Sequence, residues 1–109
     1  MQIKSFPFQT LNWHNIIPQE RAGTTGTAIW KIFIMGDIRI RMVEYSPNYV
    51  ANHWCNKGHI IYCISGEMET TLEDGREFIL SEGMSYHVGN NSNAHSSKSI
   101  NGCTLFVED

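Results

Sequence analysis

The densest run of metal-binding side chains is His53-Trp54-Cys55-Asn56-Lys57-Gly58-His59. Imidazole nitrogen and thiolate sulfur are both good donors to first-row metal ions. His53 and Cys55 are two residues apart, so on an extended strand they project to one face with Cα atoms roughly 7 Å apart. Gly58 permits a bend, and a chain that doubles back there brings His59 toward the first pair. A fourth donor has to come from a distant strand. His95, beyond the loop that carries Asn90, Asn91 and Asn93, is the natural candidate. The expected set is His53, Cys55, His59 and His95 around one divalent ion. Three imidazoles and a thiolate are softer than the oxygen donors that suit magnesium or manganese. Zinc is therefore the first expectation, with iron, nickel or copper as alternatives.

The other histidines and cysteines read differently. Cys63 and Cys103 sit in apolar strands and are expected in the core, and His14 and His87 as ordinary hydrogen-bonded histidines. Three cysteines in all argue against the paired framework of a secreted disulfide scaffold and leave at least one free thiol or ligand.

The elements that must position these groups read as strands. Ile29–Met35 is rich in β-formers, Gly36-Asp37 punctuates it, and residues 38–45 alternate with period two. Ile38, Ile40 and Met42 face one way. Arg39 and Arg41 face the other, with Val43 and Tyr45. Ser46-Pro47-Asn48 reads as a turn. Residues 59–64 are apolar on both faces, His59, Ile61 and Cys63 opposing Ile60, Tyr62 and Ile64, as in a strand wanted on both sides. Ser65-Gly66 breaks it. Residues 67–72 and 77–80 form a hairpin across Asp74-Gly75, a pair that favours a two-residue type I′ turn. Short strands follow at 86–88, 95–99 and 103–107. Residues 11–17 fit a short strand or one helical turn ended by Pro18, and 21–27 a loop or edge segment. About eight short strands with Gly and Asn turns, and no helical period, fit an all-β jelly roll or double-sheet barrel.

Composition narrows the function. The chain has 109 residues, one domain's worth. Charged residues make up 17% against a usual ~25%, a hint that a homodimer covers part of the surface. The net charge is −3 and the eight Lys and Arg are scattered, so no stripe exists for a nucleic-acid backbone. No apolar run is long enough for a membrane span, and the N-terminal residues lack a secretory h-region, which points to the cytoplasm.

Across residues 45–107 the sequence resembles the cupin superfamily. In its first motif, Pro47 stands in the leading Gly place, His53 and Cys55 in the two His places, His59 in the Glu place and Gly66 in the closing Gly place. In its second, Gly83 opens, Gly89 and Asn91 stand where Pro and Gly are usual, and His95 fits the His with one residue inserted. The closing Asn has no clean match. Within the superfamily the chain is similar to small single-domain cupins with a His-Trp-Cys variant of the first motif. The resemblance implies a cupin-type jelly-roll β-barrel (a double-stranded β-helix) as one domain over 1–109, with residues 1–28 as edge strands or a dimer arm and a barrel core at 29–107.

The resemblance also implies a pocket in the barrel mouth and metal-dependent chemistry on a small organic molecule, of oxygenase, isomerase or lyase type. The alternative is a non-catalytic metal- or ligand-binding structural barrel, with all four protein ligands filling the metal's sphere. Strand parity offers Ile40, Met42 and Ile61 as pocket walls. Tyr86 or His87 could supply a proton-transfer group, parity leaving open which points inward. Arg39 and Arg41 could grip a carboxylate but read first as solvated surface arginines, and Trp54 alternates away from the metal pair.

Overall fold

A computed structural model describes residues 3–109; Met1 and Gln2, part of the N-terminal stretch read above, lie outside the described residues. The described residues form seven strands: β1 (Gln19–Ala22), β2 (Thr27–Met35), β3 (Ile38–Val50), β4 (His59–Leu72), β5 (Glu77–Ser81), β6 (Ser85–Val88) and β7 (His95–Glu108). Ahead of them is a single 3-10 turn, Trp13–Asn15, capped by the Asn12 side chain accepting from the His14 N–H. Among the described residues no helix is long and apolar enough to cross a membrane.

All seven strands belong to one antiparallel sheet in the order β1-β2-β3-β7-β4-β5, with β6 also on β4. This corrects the expected jelly-roll barrel: the sheet is not closed. One edge of the fourteen-residue β4 carries β7, and the other is divided between β6, on residues 59–62, and β5, on residues 67–71. β5 and β6 spend one edge each on β4, and β1, four exposed residues long, pairs only with β2. Among the described residues, no ladder joins the two ends of the sheet.

The strands are also longer than the punctuation suggested. Pro47 and Asn48 lie inside β3, Gly66 inside β4 and Gly102 inside β7. These residues bend strands without ending them. In β4 the register against β7 slips between Cys63 and Ser65 and again between Gly66 and Glu69. The slips flip the alternation: inward positions run 59, 61, 63 before them and 68, 70 after. Gly66 has φ +80°, and a Cβ there would overlap the Gly102 carbonyl oxygen and lie 2.7 Å from the Cys103 Cα, so the bulge requires glycine.

The core is the buried side of the sheet, where Val43, Cys63, Met68, Leu105 and Val107 are almost wholly buried. Cys63 and Cys103 are both buried free thiols here. The apolar residues on the other side of β4, Ile60, Tyr62 and Ile64, are 37–45% exposed. On β3, Arg41, Val43 and Tyr49 are the buried positions, and Ile40 and Met42 alternate to the other side.

Candidate metal centre

Residues 51–58 leave the sheet, and within them only Cys55 keeps a ladder contact, an isolated antiparallel bridge to His95. Both hydrogen bonds of that bridge form: Cys55 N–H to the His95 carbonyl at 2.8 Å, and His95 N–H to the Cys55 carbonyl at 3.0 Å. The bridge holds the thiol opposite the first residue of β7. His59 is the first residue of β4 and faces inward in step with Ile61 and Cys63; along the ladder its end of β4 lies beside Glu108, while His95 pairs with Leu72, so the two rings meet across the inward face and not as ladder neighbours. The ligand atoms of Cys55, His59 and His95 lie within 4.8 Å of one another, with Cys55 Sγ and His59 Nε2 at 3.3 Å. The two imidazoles meet edge to face, centroids 5.0 Å apart.

Each imidazole has its far nitrogen engaged. His95 Nδ1 is 2.9 Å from the Asn93 carbonyl oxygen. A carbonyl only accepts, so Nδ1 carries the proton and Nε2 is left with a lone pair. That Nε2 is buried and has no hydrogen-bond partner among the described residues. Burial, with His59 adding to it, also lowers the His95 pKa and favours the neutral ring, against the Asn93 hydrogen bond. His59 Nδ1 is 3.2 Å from Asp109 Oδ2, and its Nε2 faces the Cys55 sulfur. Two imidazoles presenting Nε2, each anchored through Nδ1 by an oxygen acceptor, together with a thiol, are a donor set a divalent metal fits. A buried, unpartnered acceptor is otherwise costly to keep.

Asp109 joins the site to a charge network. Its carboxylate accepts from Arg39 through Nε at 2.8 Å and Nη2 at 2.9 Å, and from Arg41 Nη2 at 3.0 Å. Burial pushes this carboxyl up, but the hydrogen bonds from Arg39 and His59 and the charges of both arginines prevail, holding it far below the usual carboxylate range. Arg41 lies over the Trp30 ring, 4.5 Å from its centroid.

A cavity of about 170 Å³ opens beside the three ligands, and Arg39, Arg41, Tyr45, Tyr49, Tyr86 and Ile61 are among its walls. His53 stands at its exposed rim with Nδ1 2.7 Å from Asn52 Oδ1, and is not one of the three clustered ligands. Ile40 and Met42 are not among the lining residues; the arginines of the same strand take that wall, with Val43 and Tyr45. Tyr86 lines the cavity. His87, next along β6, is exposed and bonded to the Ser85 hydroxyl at 2.9 Å. Burial, reinforced by Cys55, raises the Tyr86 pKa, so its hydroxyl keeps its proton at neutral pH. Trp54 is half exposed.

Asp109 was missed by spacing arguments because it lies fifty residues from His59. A signal existed: Cys103, Leu105 and Val107 share one period-two face of β7, and Asp109, the residue just past the strand, continues it and puts a carboxylate on the inward side. The same parity puts Arg39 and Arg41 on the inward side of β3.

No protein-family model matches the chain, and no curated protein does. Solved structures do. A cupin-2 domain protein from Shewanella frigidimarina is 13% identical, with TM-score 0.61 over 73% of this chain and 78% of that one. The fold resembles that of cupin-superfamily proteins. Ectoine synthase from P. lautus matches in fold at 15% identity and TM-score 0.74, over 93% of this chain and 76% of that one. An oxalate decarboxylase from Bacillus subtilis matches 97% of this chain with 30% of its own length, at 17% identity and TM-score 0.70. At such identities the cupin likeness is one of fold.

Proposed function

We propose that this chain is a small cupin with a His-Trp-Cys variant of the first motif. It holds one divalent metal ion on Cys55 Sγ and the Nε2 atoms of His59 and His95, and acts on a small organic molecule in the adjoining cavity. The observation that carries this reading is the His95 ring, with Nδ1 committed to the Asn93 carbonyl and Nε2 buried without a partner beside a second imidazole and a thiol. Two imidazoles and a thiolate suit zinc first, with iron or nickel as the other ions this set accepts. Three protein ligands, rather than four, leave a coordination position for water or substrate, which favours a catalytic over a closed structural site. The ion, when bound, supplies Lewis acidity or a bound water of lowered pKa.

The chain's own groups have separable roles. Asp109 fixes the His59 tautomer and orientation, and the Asn93 carbonyl does the same for His95. Tyr86, protonated at neutral pH, serves as a hydrogen-bond or proton donor to a molecule in the cavity. Two of the fold's relatives are named as a synthase and a decarboxylase, which supports an enzyme over a purely structural protein.

The test is elemental analysis of protein purified without added metal, followed by cobalt substitution. One ion per chain is expected, with a thiolate-to-cobalt charge-transfer band that Cys55→Ser abolishes. A folded preparation that carries no metal and takes up none would overturn the reading.

A further inference from the structure

Arg41 is a buried cation that the protein itself leaves under-satisfied. Its residue is 7% exposed, yet Asp109 accepts only one of its five N–H donors, at Nη2, and its Nε is buried with no partner among the described residues. The Asp109 carboxylate is shared: Arg39 takes it bidentately, Arg41 once and His59 once. Two guanidinium groups against one carboxylate leave a positive charge uncompensated at the cavity wall, and Lys57 adds another at the same cavity. Desolvation lowers the Arg41 pKa despite the pull of Asp109, as expected of a cation short of counter-charge. The Trp30 face holds the guanidinium in place from one side.

The rest of the cavity is of different character. Its aromatic walls are Trp30, Tyr45, Tyr49 and Tyr86, with Tyr45 and Tyr49 stacked at 4.1 Å between centroids. Its 170 Å³ is close to the ~150 Å³ of an apolar cavity that takes up benzene.

We propose that the cavity binds a compact organic monocarboxylate, its anionic end on the Arg41 guanidinium and a flat apolar body of roughly six to nine non-hydrogen atoms between the aromatic walls. This assigns Arg41 the part of substrate anchor and Arg39 that of holding Asp109 in place. It rests on the reading above in taking the cavity beside the metal ligands as the binding site, but the anchor is an arginine and not the metal. A planar guanidinium presents a fork that matches a carboxylate, and a neutral amide of the same shape would have to place an NH2 group against the same donors.

The test is calorimetric titration of the full chain, as purified, with benzoate and with its neutral isostere benzamide, repeated after chelation of metal. Benzoate is expected to bind at least about tenfold more tightly than benzamide in both states. Arg41→Met should abolish the preference. Arg41→Lys, which keeps the charge and loses the fork, should reduce it. Equal binding of the two probes, or no heat from benzoate, overturns the inference and leaves the metal reading standing if the protein carries its ion. Benzoate binding that disappears on chelation overturns it as well, because the carboxylate then sits on the metal. A preference retained in protein that never binds metal upholds the anchor and discards the metal site. Should both variants fail to fold, the comparison of the two probes on the unaltered chain still decides.

Discussion

Replacing Asp109 with Asn removes one charge and little volume, at a position whose side chain is fully buried. The carboxylate accepts four hydrogen bonds, two from Arg39 and one each from Arg41 and His59, at 2.8–3.2 Å. An amide keeps one acceptor oxygen and turns an NH2 group toward donors on the other side. It also leaves Arg39 and Arg41 as neighbouring like charges. Breaking a buried pair by removing one partner costs ~3–5 kcal/mol. Arg39 is 28% exposed and regains some water, so the lower end, ~3 kcal/mol, is expected here. Against a total stability of ~5–15 kcal/mol this is a large loss, on the order of 10–20 °C in Tm. His59 loses the acceptor that fixes its tautomer, so metal affinity should fall ~10–100-fold. Urea unfolding and chelator competition on the same preparation measure both effects.

The pH dependence follows from the same group. The folded carboxyl titrates far below its unfolded value of ~3.9, so the unfolded chain binds the extra proton. Asp109 therefore contributes stability that is present above about pH 4 and lost as the pH falls below it. Asp109→Asn should flatten that part of the profile. An unchanged urea midpoint together with an unchanged metal affinity would refute the assignment of Asp109 as the support of His59.

Three further outcomes are expected. His53→Ala should keep one metal ion per chain by elemental analysis, because His53 is paired with Asn52 at the rim, whereas His95→Ala should lose the ion. A thiol reagent near pH 8 should label one cysteine of the metal-free protein, mapped by mass spectrometry to Cys55: Cys63 is wholly buried and burial pushes the Cys103 thiol up to about 11. Metal loading should then protect Cys55. Gly66→Ala should cost ~1–3 kcal/mol in urea unfolding, since its Cβ has no room in the bulge and φ +80° strains any side chain.

The strand content was legible because period-two alternation is a local property: residues 38–45 and 59–64 carry it within their own span. Local punctuation was a poorer guide. Pro47, Gly66 and Gly102 look like strand ends, but β3, β4 and β7 run through them because neighbours on either side keep the ladder paired. Closure of the sheet could not be read at all, since it depends on whether distant edges find one another. Parity separates Ile40 and Met42 from Arg39 and Arg41, and it is the arginines' side of β3 that lines the cavity. The buried Arg41 guanidinium is paired in part by Asp109, sixty-eight residues away, which no scale that scores residues singly registers.

By itself the sequence determined the strands, their two-faced character and the supply of imidazole and thiol groups around residues 53–59, because these follow from residue type and short-range spacing. Only the tertiary structure decided which of them meet. The Cys55–His95 bridge selects the thiol, the inward face of β4 brings in His59 from the opposite end of the β7 ladder, and His53 is left at the rim with Asn52. A ligand cluster requires atoms within a few ångströms, and that convergence is set by backbone pairing between segments forty residues apart, not by the spacing of donors along the chain.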